Sequence, residues 1–518
     1  MRTPLTLWHN AVFYTLDPVQ PRVQALVSAD EKILFAGSFE EARKVAGPWA
    51  QSVNLKGKAV VPGFNDNHLH LVFFGDHSLV PDLSGLNENQ IVDTLVAFYS
   101  KLPSSHPVVG YAWDYTHCPH PRKELLDEAF GDRLVFLPQF GGHAVWVSSR
   151  VLRELGVTKF TAPPQGQILR DDEGEPTGIL QEFHPNPVQD RYFHEIFFNP
   201  RMREARVRRS LDALRRLGIT SVQDNTWYYP ELFTLAKLRR RKELTARVSA
   251  WSFGRLPKTI PWMALGSYDK RWLRRGPWKY FLDGTFTTRT AWMEEAYPGT
   301  PHNYGLSFDK SWLKEVLTNL AKRRVQGAFH SIGDRSTRTF LDVWEDVLQA
   351  YPEAVHLRMR LEHVQALRRE DLPRLKALGV CVAAQPPAMV NPDKDASIVG
   401  AARVPTLYPH RSLLEAGVPL SFGSDIPGES FCDPLLGIHL VCNRSGPESL
   451  TPEQALACYT QGSAYVEFQE SQKGSLEAGK LADFAVLSAD LLTLPVDEIR
   501  NIQVVRTVVG GRTVWEKV

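Results

Sequence analysis

Lys58-Ala59-Val60-Val61-Pro62-Gly63-Phe64-Asn65-Asp66-Asn67-His68-Leu69-His70 opens with an apolar run that reads as a buried strand and ends in two imidazoles one residue apart. Side chains alternate along a strand, so His68 and His70 leave the same face. Two neutral imidazoles on one face can hold one metal ion. An HxH triplet arises by chance in a chain with 16 histidines, so the weight of that reading rests on the residues downstream.

Apolar runs recur at Ile219 to Val222, Arg247 to Phe253, Trp278 to Leu282, Gly327 to Phe329, Leu357 to Leu361, Val380 to Ala384 and Val418 to Phe422. Helix-like stretches such as Trp312 to Arg324 and Thr337 to Ala350 separate them, which predicts a parallel sheet with crossover helices. With the strand before His68 the runs number eight, and eight closes a (β/α)8 TIM barrel, here over residues 59–469. Strands one and two are about 145 residues apart, far beyond an ordinary βα connection. The interval predicts an inserted α+β subdomain over residues 75–200, covering the mouth of the barrel. Short β-like runs at both ends (Ala11 to Thr15, Ala25 to Val27, Ile33 to Ala36, Phe484 to Leu487, Val504 to Val509, Thr513 to Trp515) predict a small β-sandwich domain. It would be built from residues 1–58 and 470–518.

The bulk properties exclude several function classes. A net charge of +2 in 518 residues gives nucleic acid or an anionic membrane no electrostatic footing. The basic runs Arg206 to Arg216 and Lys237 to Lys242 read as solvated helix faces. The five cysteines form no CxxC pair, so neither a disulfide framework nor a thiolate zinc site is indicated, and a reducing cytoplasm is the expected setting. Met1 to Asn10 lacks the apolar core of a signal peptide, and no 18-residue apolar run follows. The expected partner is a small molecule, with self-association into a homo-oligomer left open.

Catalytic residues of such barrels gather at the C-terminal ends of the strands. Reading those ends in order yields His68 and His70, then Lys279, His330, His363 and Asp425. Taken singly, each has an ordinary explanation as a core or surface residue, and a lone strand lysine usually reaches for solvent. Six metal-compatible groups on strands one, four, five, six and eight are not explained by independent accidents.

Pro62 to His70, Leu282-Asp283-Gly284, His330-Ser331-Ile332-Gly333-Asp334-Arg335, Glu362-His363, Gly423-Ser424-Asp425-Ile426-Pro427 and Gly474 to Asp483 together resemble the amidohydrolase superfamily. More narrowly they resemble its amidohydrolase-3 branch, which includes N-substituted formamide deformylases. Gly142 to Trp146 and Asp172 to Leu180 extend the likeness into the insertion, whereas Asn65, Asn67, Ser148 and Thr285 to Ala291 depart from the usual pattern. The resemblance implies two divalent metal ions, with zinc favoured by the imidazole and carboxylate donors. His68, His70 and Asp425 would hold one ion, His330 and His363 the other, and Lys279 would bridge them as an N-carboxylated carbamate. It implies hydrolysis of a C–N bond in an amide, an N-formyl or N-acyl amine, or a cyclic amide by metal-activated hydroxide. Asp425 would move the proton.

His143 is a candidate to contact the substrate carbonyl or leaving group, or a histidine packed beside Trp146. Arg289 is a candidate for a substrate carboxylate, or a structural ion-pair partner. Trp113, Trp146, Phe286 and Trp292 are candidates for apolar walls, or core. Two rival functions stand beside the hydrolase. One is a mononuclear deaminase of the same superfamily, disfavoured by Lys279 and by Ser-Ile-Gly-Asp after His330. The other is a non-catalytic assembly protein on the same scaffold, disfavoured by the full set of ligand types.

Overall fold

The computed structural model describes residues 5–77, 79–103, 107–163, 166–182, 197–226, 228–253, 270–301, 305 and 309–517. Its centre is an eight-stranded parallel sheet made of β1 (Phe64–Leu69), β2 (Ile219–Asp224), β3 (Arg247–Phe253), β4 (Leu273–Phe281), β5 (Gly327–Ser331), β6 (Arg360–His363), β7 (Cys381–Ala384) and β8 (Leu420–Phe422), in that order. Between β8 and β1 the closure is made by side chains and loop backbone. Asn67 Nδ2 donates to Ser421 Oγ at 2.7 Å, Ser424 N to Asp66 Oδ1 at 3.0 Å, and His70 N to Ile426 O at 3.0 Å. All eight expected strands are present in a TIM barrel. Outward residues such as Val222, Val248, Tyr280, Phe329 and Val382 join Leu313, Leu317, Phe340 and Trp344 of the surrounding helices in one core.

The opening run divides in a way the sequence reading did not foresee. Lys58 to Pro62 belongs to a twelve-residue strand, Gln51–Pro62, that pairs with Thr6–Tyr14 and Phe484–Leu487. Gly63 makes the break: a Cβ there would lie 2.2 Å from Thr220 Oγ1, so the chain passes too close to β2 for any side chain. The barrel strand therefore begins at Phe64 and is mostly polar, yet every one of its residues is buried.

The terminal segments form one seven-stranded sheet in the order Arg512–Glu516, Val504–Val509, Phe484–Leu487, Gln51–Pro62, Thr6–Tyr14, Arg22–Ala29, Lys32–Gly37. It curls over its own inner face, because Ile33 N donates to Lys480 O at 2.8 Å and Ile33 shares a core with Phe484, Val486 and Val508. Arg247 at the start of β3 donates to Asp483 at 2.6 Å, fastening this sheet to the bottom of the barrel.

The long interval after β1 carries a third sheet, of five strands, in the order Val108–Val109, Val135–Pro138, Ala144–Val147, Pro176–Gln181, Gln167–Arg170. Helices Glu88–Tyr99, Lys123–Phe130 and Ser149–Glu154 accompany it. All five cysteines are free and buried, and no described helix is long and apolar enough to cross a membrane.

Candidate metal centre

The site is assembled where parallel strands end, and register decides what meets. His330 pairs with Phe281 on one side and Glu362 on the other. Residues paired across parallel strands share a face, so Phe281, His330 and Glu362 all look into the barrel. At His363 the backbone turns to φ 79°, a left-handed conformation costly for a non-glycine residue. That turn brings His363 to the same mouth as Glu362 instead of the opposite face.

The imidazoles form a continuous row. Ring centroids lie 5.6 Å apart for His68 and His70, 5.3 Å for His68 and His363, 4.4 Å for His363 and His330, and 5.2 Å for His330 and His143. His68 is anchored through Nδ1 to Glu362 Oε2 at 2.7 Å, and His70 through Nδ1 to Asn225 O at 3.1 Å. Each anchor places the proton on Nδ1 and leaves Nε2 as the lone-pair donor, the arrangement by which outer partners orient a metal ligand. Both Nε2 atoms face Asp425 Oδ1, at 3.4 Å and 3.2 Å.

These donors fit a divalent ion. Bonds of about 2.1 Å in a tetrahedral site separate neighbouring donors by roughly 3.4 Å, which is the spacing of Asp425 Oδ1 from the two imidazoles. His68, His363 and Asp425 offer ligand atoms that all lie within 4.8 Å of one another. Three of the imidazoles, His68, His363 and His330, are held in the neutral form that a ligand must have. Burial and the nearby Lys279 ammonium hold His68 below its ordinary value, burial takes His363 down to about 3, and burial with the neighbouring His363 keeps His330 well below.

Three buried carboxylates support this row from behind. Glu362 accepts from Arg360 Nε at 2.9 Å, and the fully buried Arg360 also donates to Asn67 O at 3.0 Å and stacks on Trp251. Burial opposes the charge on Glu362, but Arg360 and His68 hold it down to about 2. Asp283 accepts from the backbone N–H groups of Trp292, Ile332 and Gly333 at 2.8 to 3.0 Å and lies 3.3 Å from His330 Nδ1. Asp66 Oδ1 accepts from His68 N and Ser424 N, pinning the two sides of the barrel closure at the site.

The other candidates are placed as follows. Lys279, 1% exposed, points into the barrel with Nζ 4.8 Å from the Phe281 ring, and burial lowers its ammonium to about 8. His143 leans on His330, with Nδ1 2.8 Å from Glu182 Oε1. Burial opposes its charge, yet Glu182 raises it above the ordinary histidine value. Trp113 and Trp146 have no exposed surface and meet edge-on at 6.2 Å inside the core of the insertion. They support the sheet that carries His143 and present no face to a cavity. Phe286 is likewise buried in a small core of its own, Trp292 carries Arg335 on its ring, and Arg289 stands exposed at φ 55°. Glu362, Arg360, Asp283 and Glu182 received no role from sequence. A charged residue inside an apolar run, such as Arg360 or Glu362, was the available signal.

A barrel with histidines and an aspartate converging at its strand ends is the fold and site of a metal-dependent hydrolase. The chain belongs to the amidohydrolase family, whose profile matches residues 51–515. Over 546 residues it is 28% identical to the Bacillus subtilis protein YtcJ, covering 99% of each chain. Over 539 residues it is 27% identical to N-substituted formamide deformylase of Arthrobacter pascens, covering 98% of each. Among solved structures, an uncharacterized metal-dependent hydrolase from Pyrococcus furiosus superposes with a TM-score of 0.75 at 28% identity, over 94% of this chain and 100% of that one.

Proposed function

We propose that the protein hydrolyses a C–N bond in a small molecule: an amide, an N-formyl or N-acyl amine, or a cyclic amide. The observation that carries this reading is Asp425 Oδ1 at 3.2 Å and 3.4 Å from two Nε2 atoms whose rings are fixed from behind. A carboxylate in that position can bind metal and also take a proton from the attacking water. Returning that proton to the leaving nitrogen completes the step, since an amine departs only once protonated. Likeness over nearly the whole chain to an enzyme named for removing formyl groups from substituted amines supports the C–N bond as the target.

His68, His70 and Asp425 would hold one ion, and His330 with His363 a second, with zinc the ion best suited to these donors. A bound divalent ion supplies Lewis acidity, polarising the scissile carbonyl and lowering the pKa of water. Lys279 is the bridging residue in this reading. Its buried amine, once neutral, adds to CO2 and releases a proton, giving a carbamate with two oxygens. His143, fixed by Glu182, faces the same space and would contact the carbonyl or the leaving group.

The test is a panel of N-formyl, N-acyl, lactam and cyclic ureide compounds offered to zinc-loaded enzyme, read by release of amine or ammonia and paired with metal analysis. Turnover with about two ions per chain is expected. One ion per chain with ammonia release would move the reading to a mononuclear deaminase. Lys279→Ala should lose at least one ion and its activity, and millimolar short carboxylic acids should restore part of both.

A further inference from the structure

Phe281 and Phe253, at the ends of β4 and β3, are aromatic side chains that the reading above leaves without a task. Register turns both inward. Phe281 pairs with His330, and Phe253 pairs with Lys279, whose side chain points into the barrel. The Phe281 ring lies 5.3 Å from the His330 ring, 6.5 Å from the His143 ring and 4.8 Å from Lys279 Nζ. Phe253 stands beside it, with ring centroids 5.9 Å apart. Both rings stay partly exposed, whereas Trp113 and Trp146 have no exposed surface. Because Phe281 is packed among groups of the site itself, its open surface looks onto the space that those groups enclose. Apolar area left in water at such a place is favourable to cover, and small-molecule sites are commonly lined in this way.

The row of imidazoles gives these rings a direction. Asp425 stands at one end with His70 and His68, the row passes through His363 and His330, and Phe281 and then Phe253 continue it at the other end. The strand order agrees. Around the ring of eight, β4 stands four places from β8 in either sense, so Phe281 and Asp425 occupy opposite sides of the mouth. An amide hydrolysed over this row places its nitrogen at Asp425, since that carboxylate returns the proton. The acyl substituent leaves the carbonyl carbon on the side away from the nitrogen, and therefore runs toward Phe281.

We infer that Phe281 and Phe253 form an acyl subsite that takes an aromatic or alkyl acyl group, so that the substrates are N-acyl amines with an apolar acyl part in preference to N-formyl amines. This deepens the proposed hydrolysis and rests on it for the position of the nitrogen. A formyl group has only hydrogen there and leaves both rings uncovered, whereas a phenyl group gains the contact of an aromatic pair. Binding energy from such a remote group is available to the transition state as well as to the ground state.

The experiment follows aniline release from formanilide and benzanilide by zinc-loaded enzyme. Calorimetry with acetohydroxamate and benzohydroxamate, which carry the acyl variation on a metal-chelating head, reads the subsite without turnover. The parent should bind benzohydroxamate about 10-fold more tightly than acetohydroxamate. Formanilide is intrinsically the more reactive amide, so the quantity compared is the benzanilide to formanilide ratio of kcat/KM, parent against variant. In Phe281→Ala that ratio and the hydroxamate preference should each fall about 10-fold, and in Phe253→Ala about 3-fold, at unchanged zinc content. The ratio between N-benzylformamide and N-methylformamide, which differ only in the amine, should move less than the acyl ratio. Unaltered acyl ratios in both variants, a larger change in the amine ratio, or a parent that turns over formanilide alone would overturn the inference and leave the proposed hydrolysis standing. If Phe281→Ala loses zinc, Phe253→Ala carries the comparison, and zinc loss in both would give the rings a structural role and overturn it. If no amide is turned over, the proposed hydrolysis fails and the hydroxamate preference alone decides. Its presence in the parent and loss in the variants upholds the acyl subsite; its absence from the parent, or its persistence in the variants, sinks it.

Discussion

At the scale of single residues, the site depends on groups that touch no substrate. Asp425 is the residue whose loss should be purely chemical. In Asp425→Asn the amide oxygen still offers a donor to an ion but cannot carry a proton, so turnover should fall by at least about 100-fold with the fold and most metal retained. Activity within ten-fold of the parent would remove Asp425 from proton transfer. Glu362 acts through others. It fixes the His68 ring and neutralises Arg360, both wholly inside the barrel. Glu362→Gln should lower metal affinity about 10-fold to 100-fold, measured by competition with a chelator. It should also cost about 3–5 kcal/mol of stability, since Arg360 is left as an uncompensated buried charge. Parental metal affinity in that variant would restrict Glu362 to pairing with Arg360. The positions of His330, His363 and Asp425 stood out in the sequence because each follows an apolar run, whereas His68 and His70 end a mostly polar strand. The partners of the histidines did not stand out: Glu362 adjoins His363 in the chain but bonds His68, 294 residues away, and Glu182 meets His143 across 39 residues.

At the scale of elements, the insertion leaves and rejoins the barrel through two packed helices. Leu71–His77 follows β1, and Pro200–Arg216 leads into β2. Gly75 lets them touch, because a Cβ there would lie 2.1 Å from Arg206 O, and Asp76 meets Arg206 at 2.5 Å with both side chains buried. Asp76→Ala should cost about 3–5 kcal/mol through the stranded Arg206 charge, and Asp76→Leu with Arg206→Met should recover most of it. Unfolding midpoints in urea measure both, and a double variant no more stable than the single would show that the pair contributes more than charge balance. Strand existence was legible here and strand limits were not. β4 begins at Leu273, ahead of the apolar run Trp278 to Leu282 that marks it in the sequence, and its early part carries Arg274, which finds Glu467 at 3.0 Å. Leu357 and its neighbours read as the start of β6 but form a 3₁₀ turn from Pro352 to Leu357, and the strand starts only at Arg360. Likewise β1 hides behind the stronger apolar signal of Lys58 to Val61, which serves the terminal sheet. At β4 and at β1 a tertiary contact overrode local pattern.

At the scale of the whole molecule, burial of ionisable groups ties stability to pH. His410 is the clearest case outside the metal centre. It begins the helix His410–Glu415, packs 5.0 Å from Phe422 of β8, is 1% exposed, and its Nδ1 has no partner among the described residues. Burial, with Arg444 adding repulsion, pushes its pKa from 6.5 down to about 3. A depressed value means that the folded state refuses a proton which the unfolded chain accepts. The stability tied to neutral His410 is therefore fully present above pH 6.5 and is lost as the pH falls from 6.5 toward 3. Between pH 7.5 and pH 5 the unfolded chain gains about 1.5 pKa units of protonation free energy, on the order of 2 kcal/mol. The zinc-loaded parent should lose that much more stability over this range than His410→Leu, which has no proton to take up. The comparison is made on unfolding midpoints at matched ionic strength, where the histidines of the site titrate alike in both proteins and cancel. Parallel pH profiles for the two proteins would mean that His410 is protonated in the folded state, and the acid sensitivity would then belong to the strand-end imidazoles instead.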